Sequence, residues 1–202
     1  LILSIIIGYL LGSIPTAYII LKITYGLDIR KEGSGNVGTL NSYELTNSKK
    51  IGLTILIVDL LKGILSVFII KFFVSSDFIY PMVSLIFAVF GHCYSIWLKF
   101  KGGRGIATTG GGAMILSPAI LVIWGFSWLI VKKIAKDIHV ANIGATITTI
   151  LGGVLFGKTL NNLTFPPANE SFIFSFSLSL LMLIILAKHW QPFKEKIKKS
   201  GN

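Results

Sequence analysis

Apolar stretches of span length alternate along this chain with short polar interruptions that are mostly basic. About twenty apolar residues, rising ~1.5 Å each in a helix, cover a hydrocarbon core of ~30 Å. The pattern predicts membrane-crossing helices over Leu1–Ile23, Ile51–Ile70, Phe78–Leu98, Ile138–Phe156 and Ser171–Leu186. The first is read as a span rather than a signal peptide, because it has no charged leader and no obvious cleavage site. Gly8, Gly12 and Pro15 interrupt its second half. The break at Gly12-Ser13-Ile14-Pro15 is expected to open that helix toward a cavity.

Gly105–Val131 reads as one long helix or as two, and the basic residues decide. A split near Ser117-Pro118 puts the loop Thr24–Lys50, the loop 99–104, Lys132, Lys133, Lys136 and the lysine-rich tail on one side. Only Lys71 and Lys158 are left on the other. A single span would send the Lys132–Lys136 cluster and the tail to opposite sides, against the preference of Lys and Arg for the cytoplasmic face. The expected fold is therefore all-α and polytopic, with seven transmembrane helices, the N-terminus outside and the C-terminus cytoplasmic. The fourth helix is short and half-helix-like, which requires protein around its ends. Residues 1–202 read as a single domain, with no repeat and no soluble second domain.

Composition agrees with this picture and removes several alternatives. Of 202 residues 53% are hydrophobic and 13% charged, and the mean hydropathy is +0.78, too apolar for a soluble domain. The net charge of +11 lies in short clusters between apolar runs, so it reads as topology signal and phosphate or headgroup partner, not as a nucleic-acid surface. Lys188–Lys199 is expected to lie on anionic lipid headgroups. Cys93 is the sole cysteine and reads as a small buried residue; His92, His139 and His189 come from separate segments without metal-ligand spacing. No metal site is predicted.

Candidate chemistry sits in two glycine-rich loops. KFKGGRGIATT, Lys99–Thr109, places Lys99, Lys101 and Arg104 among Gly102, Gly103 and Gly105, just before the helix-like Ile106–Leu116. Backbone N–H groups freed by glycine, a helix N-terminus and three cations together suit an anion, most simply phosphate. The alternative is a cytoplasmic loop whose charges only set topology. Gly33-Ser34-Gly35-Asn36-Val37-Gly38 matches a dinucleotide-binding string but follows a span and a charged loop, not a buried strand. Gly152–Thr159, GGVLFGKT, matches a nucleoside-triphosphate loop, yet lies at the apolar end of a span on the predicted outer face. With nucleotide binding set aside, GSGN still offers a hydroxyl, an amide and backbone N–H groups after Arg30 and Lys31: a second polar nest on the same face. Two nests suggest two phosphates, or one phosphate and a developing oxyanion; a surface turn is the plainer reading.

Asp59 and Lys62, three apart in the second span, can pair on one helix face, and Lys62 can alternatively face substrate. His92, in the third span, reads first as an interhelical hydrogen bond. His189, at the inner end of the seventh span, stands where a neutral imidazole can accept a proton from an attacking hydroxyl or bind substrate.

GSIPTAY, DIRKEGSGNVGTLN, DLLKG, GHCYSIWLKFKGGRGIAT and KHWQPFKEKIKK occur in an order and spacing that resembles the acyl-phosphate:glycerol-3-phosphate acyltransferases of bacterial membranes, the PlsY family. The resemblance covers nearly the whole chain. It implies a seven-span enzyme of the bacterial inner membrane that moves a fatty acyl group from acyl phosphate to the 1-hydroxyl of glycerol 3-phosphate. Lysophosphatidic acid and phosphate are the products in phospholipid biosynthesis. Carried over residue by residue, Ser34 and His189 would be catalytic. Gly33, Gly35, Asn36, Gly38, Asn41, Lys101, Gly102, Gly103, Arg104 and Gly105 would bind substrate. The partners would be acyl phosphate, glycerol 3-phosphate and membrane lipid, the enzyme would act as a monomer, and no cofactor is expected.

The chain departs from the family pattern at Glu44, where a basic residue is usual, at Arg104 for lysine, at Pro192 for asparagine, and at His139 and Asn142 for serines. These departures bear on the glycerol-phosphate pocket and leave open a catalytically diverged paralogue. A small anion transporter built on the two nests is the competing reading; phosphate release from acyl phosphate separates it from an enzyme.

Overall fold

The computed structural model describes residues 1–200, with side chains except at Gln191 and 195–200. Among the described residues the regular structure is helical. The chain forms two compact units, Leu1–Ser76 with Tyr80–Ile115, and Asp77–Ile79 with Leu116–Asn202.

The first unit begins with α1, Ile2–Ser13, and α2, Thr16–Tyr25, separated at the expected break. Pro15 has no N–H to continue α1 and drives Ile14 to an extended ψ of 117°, so the helix stops and restarts. Gly26, at φ 68°, ends α2 in the left-handed conformation, and its N–H returns to the Lys22 carbonyl. The polar loop that follows contains an eight-residue helix, α3, Thr39–Thr46. Ser48 then caps α4, Lys49–Phe73, accepting from the Ile51 N–H at 3.4 Å. Next come α5, Ile79–Cys93, a single 3₁₀ turn at Ile96–Leu98, and the short apolar α6, Ile106–Leu116.

Helices in this unit approach at glycines. A side chain at Gly12 would run into the backbone of Ala88 on α5, and one at Gly63 of α4 into the backbone of α6. Within hydrocarbon, where burying one more apolar side chain against another gains little over lipid, such close backbone contact is a principal source of helix association.

The second unit is built from α7, Pro118–Ala135, α8, Ile138–Leu155, the six-residue α9, Gly157–Asn162, and α10, Ser171–Ser200. Pro118 opens α7 at the first helical position, where its missing N–H has no cost. Asp137 caps α8 by accepting from the N–H groups of His139 and Val140 at 2.8 and 2.9 Å. Indole N–H groups join α7 to α8: Trp128 donates to Asn142 at 2.7 Å and Trp124 to Thr146 at 3.3 Å.

The split at Ser117-Pro118 stands where the charge distribution placed it. Among the described residues six stretches are long and apolar enough to cross a membrane: Ile2–Tyr25, Lys49–Phe73, Ile79–Leu98, Pro118–Ala135, Ile138–Leu155 and Ser171–Lys194, with Ile106–Leu116 as a shorter apolar helix. Their outward faces carry large hydrophobics such as Ile2, Phe72, Phe73, Phe126, Ile134 and Phe172, a surface suited to lipid. The nucleoside-triphosphate look-alike is the α8–α9 corner. There Gly157 packs against Ser175 of α10. Of the basic tail, Lys188 and Lys194 fall among the described side chains and Lys196, Lys198 and Lys199 outside them.

Candidate active site

The first loop, 26–38, is folded around one buried side chain. Asn41, in the first turn of α3 and 1% exposed, accepts from the Ser34 N–H at 3.0 Å. Its amide donates to the carbonyls of Asn36 at 3.0 Å and Glu32 at 3.2 Å, with Ile29 at 3.5 Å. Local hydrogen bonds through both ends of its amide, in a buried position, make Asn41 the staple of the loop. Gly33 adopts φ 57° and lies so close to the Asn41 side chain that a Cβ would collide with its carbonyl oxygen. Gly35, at φ 68°, closes a turn by donating to the Glu32 carbonyl at 2.9 Å. Gly38 is buried and caps α3 with its carbonyl, which accepts from both the N–H and the hydroxyl of Ser42. Ser34 is exposed at the tip and Asn36 half-buried beside it, so the groups facing outward are the ones expected to meet substrate.

Arg30 does not reach toward this tip. It forms a two-pronged ion pair with Asp28, Nε to Oδ1 at 2.9 Å and Nη2 to Oδ2 at 2.7 Å, and lies over the Tyr18 ring at 4.9 Å. The hydrogen bond from Arg30 holds the Asp28 carboxyl at about 2, below its ordinary 3.8, and the same contact raises Arg30.

The second loop, 99–105, is held by its backbone. Lys99 and Phe100 both take positive φ, 53° and 62°, the left-handed region that non-glycine residues seldom enter. The reversal is secured by the Phe100 N–H on the Ser95 carbonyl at 2.8 Å. The strand of loop then runs back along the end of α5, where Gly102 donates to the Cys93 carbonyl at 3.2 Å and Gly103 to the His92 carbonyl at 3.0 Å. Gly105, at φ 83°, turns the chain into α6. Lys99 and Lys101 are exposed and Arg104 is half-buried, beside the α6 N-terminus.

The two loops meet at Gly103. A Cβ there would lie 2.6 Å from the Val37 carbonyl of the first loop and would collide with the His92 ring. The first unit thus joins the two glycine loops that lie far apart in sequence, with Ser34, Asn36, Lys101 and Arg104 on the two pieces.

Beneath this joint lies a group of buried ionisable residues. Asp59 and Lys62, 3% and 4% exposed, pair at 2.7 Å as their spacing predicted. Lys62 also donates to the Ile14 carbonyl at 2.6 Å, in the break between α1 and α2. Asp59 Oδ1 lies 3.8 Å from His92 Nδ1. A cavity of about 10 Å³ separates these groups from Thr16, Val37 and Gly103, room for about one water molecule. The pair itself was legible in sequence. Its extension to the helix break and to His92 was not, although three ionisable groups inside spans each signalled a need for a partner.

His189 belongs to the second unit and is 1% exposed. Its Nδ1 is 2.9 Å from the Ile185 carbonyl, one turn back. Since a carbonyl only accepts, Nδ1 carries the proton there and a neutral ring keeps its lone pair on Nε2.

A family model described as glycerol-3-phosphate acyltransferase matches residues 2–199. The glycerol-3-phosphate acyltransferase of Wolbachia pipientis subsp. Culex pipiens is 39% identical over 155 residues, 77% of this chain and 80% of that one. That of Ehrlichia canis is 34% identical over 197 residues, 98% and 95% of the two chains. Among solved structures, the crystal structure of PlsY (YgiH), an integral membrane glycerol 3-phosphate acyltransferase, in its glycerol 3-phosphate form superposes with a TM-score of 0.80 at 28% identity. It covers 98% of this chain and 92% of that chain. Its lysophosphatidic acid form gives 0.79 at 27%.

Proposed function

This chain belongs to the glycerol-3-phosphate acyltransferase family, and from that premise we propose that it acylates the 1-hydroxyl of glycerol 3-phosphate with acyl phosphate as donor. The observation that carries the reading is the junction of the two glycine loops at Gly103. It brings the two glycine loops side by side, and the reaction has two phosphate-bearing substrates.

The acceptor hydroxyl attacks the acyl carbonyl carbon, the bond from that carbon to the phosphate oxygen breaks, and the hydroxyl proton leaves with the departing phosphate or passes to a nearby base. An acyl phosphate is already activated, so the protein's task is to hold the two substrates in register and to stabilise charge on the carbonyl oxygen and the leaving group. Arg104 and Lys101 supply positive charge, and the α6 N-terminus adds to it. Ser34 and Asn36 bind at the first nest. His189 serves as hydrogen-bond acceptor or base through Nε2. The family match runs through both compact units, which supports residues 1–202 acting as one acyltransferase domain. The enzyme acts as a monomer in the bacterial inner membrane, with seven spans counting α6, its N-terminus outside and both loops cytoplasmic.

Purified protein given acyl phosphate and glycerol 3-phosphate should release phosphate and form lysophosphatidic acid, whereas a fatty acyl thioester should not replace the donor. Arg104→Ala should remove most turnover and Arg104→Lys should keep a measurable part, since charge survives while the planar fork is lost. Near-normal turnover in both variants would reduce this loop to a topology signal. Accessibility labelling of single cysteines should find positions near Ser34, Arg104 and Lys133 cytoplasmic and those near Ser76 and Asn162 outside; an external Lys133 would overturn the seven-span arrangement.

A further inference from the structure

We propose that His92, Asp59 and Lys62 act together as positioning residues for the Arg104 loop, linking the placement of a phosphate contact to the break in the first span. This rests on the acyltransferase reading of that loop. The three residues form one physical path. Lys62 Nζ holds the Ile14 carbonyl at 2.6 Å and Asp59 at 2.7 Å, and Asp59 faces His92 Nδ1 at 3.8 Å. His92 in turn holds the loop twice. Its carbonyl accepts from the Gly103 N–H at 3.0 Å, and its ring fills the space that a side chain at Gly103 would need.

An ion pair that served only to satisfy α4 would be complete with Asp59 and Lys62. Burying ions is expensive, and apolar residues of similar volume often stabilise a protein as well or better. Here the lysine reaches out of α4 to the Ile14 carbonyl in the helix break, and the carboxylate lies near the residue that seats the loop. Thr16 supports the same reading. Its hydroxyl is buried, lines the small cavity between Asp59, Lys62 and His92, and has no hydrogen-bond partner among the described residues. The space therefore suits one small polar occupant that would join the helix break to the cluster.

Arg104 follows Gly103 directly. A tilt of the Gly103 peptide moves the guanidinium by a larger distance at its tip, and misplacement by ~1 Å is enough to cost about a hundredfold in rate. The carboxylate, the ammonium and the imidazole do not touch substrate in this scheme; they fix the angle at which the loop presents Arg104.

The test is steady-state kinetics against both substrates, with Arg104→Lys as the reference that identifies which substrate the loop holds. His92→Ala should raise the KM for that same substrate about tenfold and leave the KM for the other within about twofold. His92→Asn, which keeps a polar atom near the Nδ1 position, should recover a good part of the loss. Because a lone buried charge can unfold the protein, Lys62 is tested with Asp59→Asn and Lys62→Met combined, a neutral pair. This double variant should stay folded by thermal unfolding in detergent and show the same single-substrate rise in KM. The inference is overturned if His92→Ala and the double variant leave both KM values unchanged, or move both equally, or merely lower the amount of folded enzyme. It is overturned too if His92→Asn is no better than His92→Ala. An inactive wild type would instead defeat the acyltransferase reading, and this inference with it.

Discussion

The loop 26–38 is closed by a side chain, whereas the loop 99–105 is closed by its own main chain. In the first, one buried asparagine supplies the acceptor and donors that a turn of this length lacks. In the second, Gly102 and Gly103 lie against the end of α5 with no side chain between, and the N–H groups bond to the last helix carbonyls. Each method has its own weakness. A side-chain staple fails by deletion, when buried carbonyls lose their donors. A backbone seat fails by addition, when any Cβ pushes the two loops apart.

Gly103→Ala is the sharpest way to break the second arrangement. The new carbon meets the Val37 main chain on one side and the His92 ring on the other, so both loops must shift. Activity should fall by about a hundredfold or more, while circular dichroism and thermal unfolding still report a helical membrane protein. Normal turnover in this variant would show that the junction is not the site.

Asn41→Ala breaks the first arrangement, with a different signature. Loss of one acceptor and three donor contacts should cost about 2–4 kcal/mol of stability, with activity declining alongside the melting temperature. Asn41→Asp should be no better, because a carboxylate would face the carbonyls of Asn36 and Glu32. If Asn41 contacted substrate instead, these variants would change KM and leave the melting temperature alone.

Glu44 sharpens the comparison further, since it lies on α3 just past the first loop. A carboxylate ~6 Å from a phosphate would be worth roughly 3 kcal/mol at an effective dielectric of ~20 before screening. The residue is exposed, so solvent reduces this to under ~1 kcal/mol. Glu44→Arg should lower the KM for glycerol 3-phosphate about threefold to fivefold and leave that for acyl phosphate unchanged. Damage by Glu44→Arg would mean that the pocket is built around the carboxylate.

The smallest effect belongs to the Asp28–Arg30 clamp. Its folded pKa of about 2 lies below the ordinary 3.8, so its stabilisation is complete above pH 3.8 and lost as the pH falls through about 2. Exchange protection of the Lys31 N–H, which donates to the Asp28 carbonyl at 2.9 Å, should hold steady from neutral pH down to about 4 and then decline. Arg30→Ala should move that decline back toward the ordinary range.

Most of the helical plan was legible because hydrocarbon allows few options. A span must be helical, apolar and about twenty residues long, Pro15 and Pro118 must interrupt or begin a helix, and clustered lysines decide how ambiguous runs are divided. The glycine loops stood out from residue type alone, but the N–H groups of Gly102 and Gly103, expected to face an anion, bond instead to the last carbonyls of α5. Other features were not. Asn41 looked like one more polar residue of a binding motif, and nothing local reveals that its amide is turned inward onto three carbonyls. Lys99 and Phe100 carry no mark of left-handed backbone, since that conformation is imposed by the Ser95 carbonyl and the end of α5.

The sequence by itself determined the membrane-helical class, the break in the first span, the split before Pro118 and the pairing of Asp59 with Lys62, because each depends on composition or on neighbours within about four residues. Only the tertiary structure decided that the loop at 33–38 meets the loop at 101–105, and that the ion pair reaches both Ile14 and His92. Those contacts join residues tens of positions apart across packed helices, and the close approach of glycines on α1, α4, α5 and α6 fixes that geometry in a way no local pattern encodes.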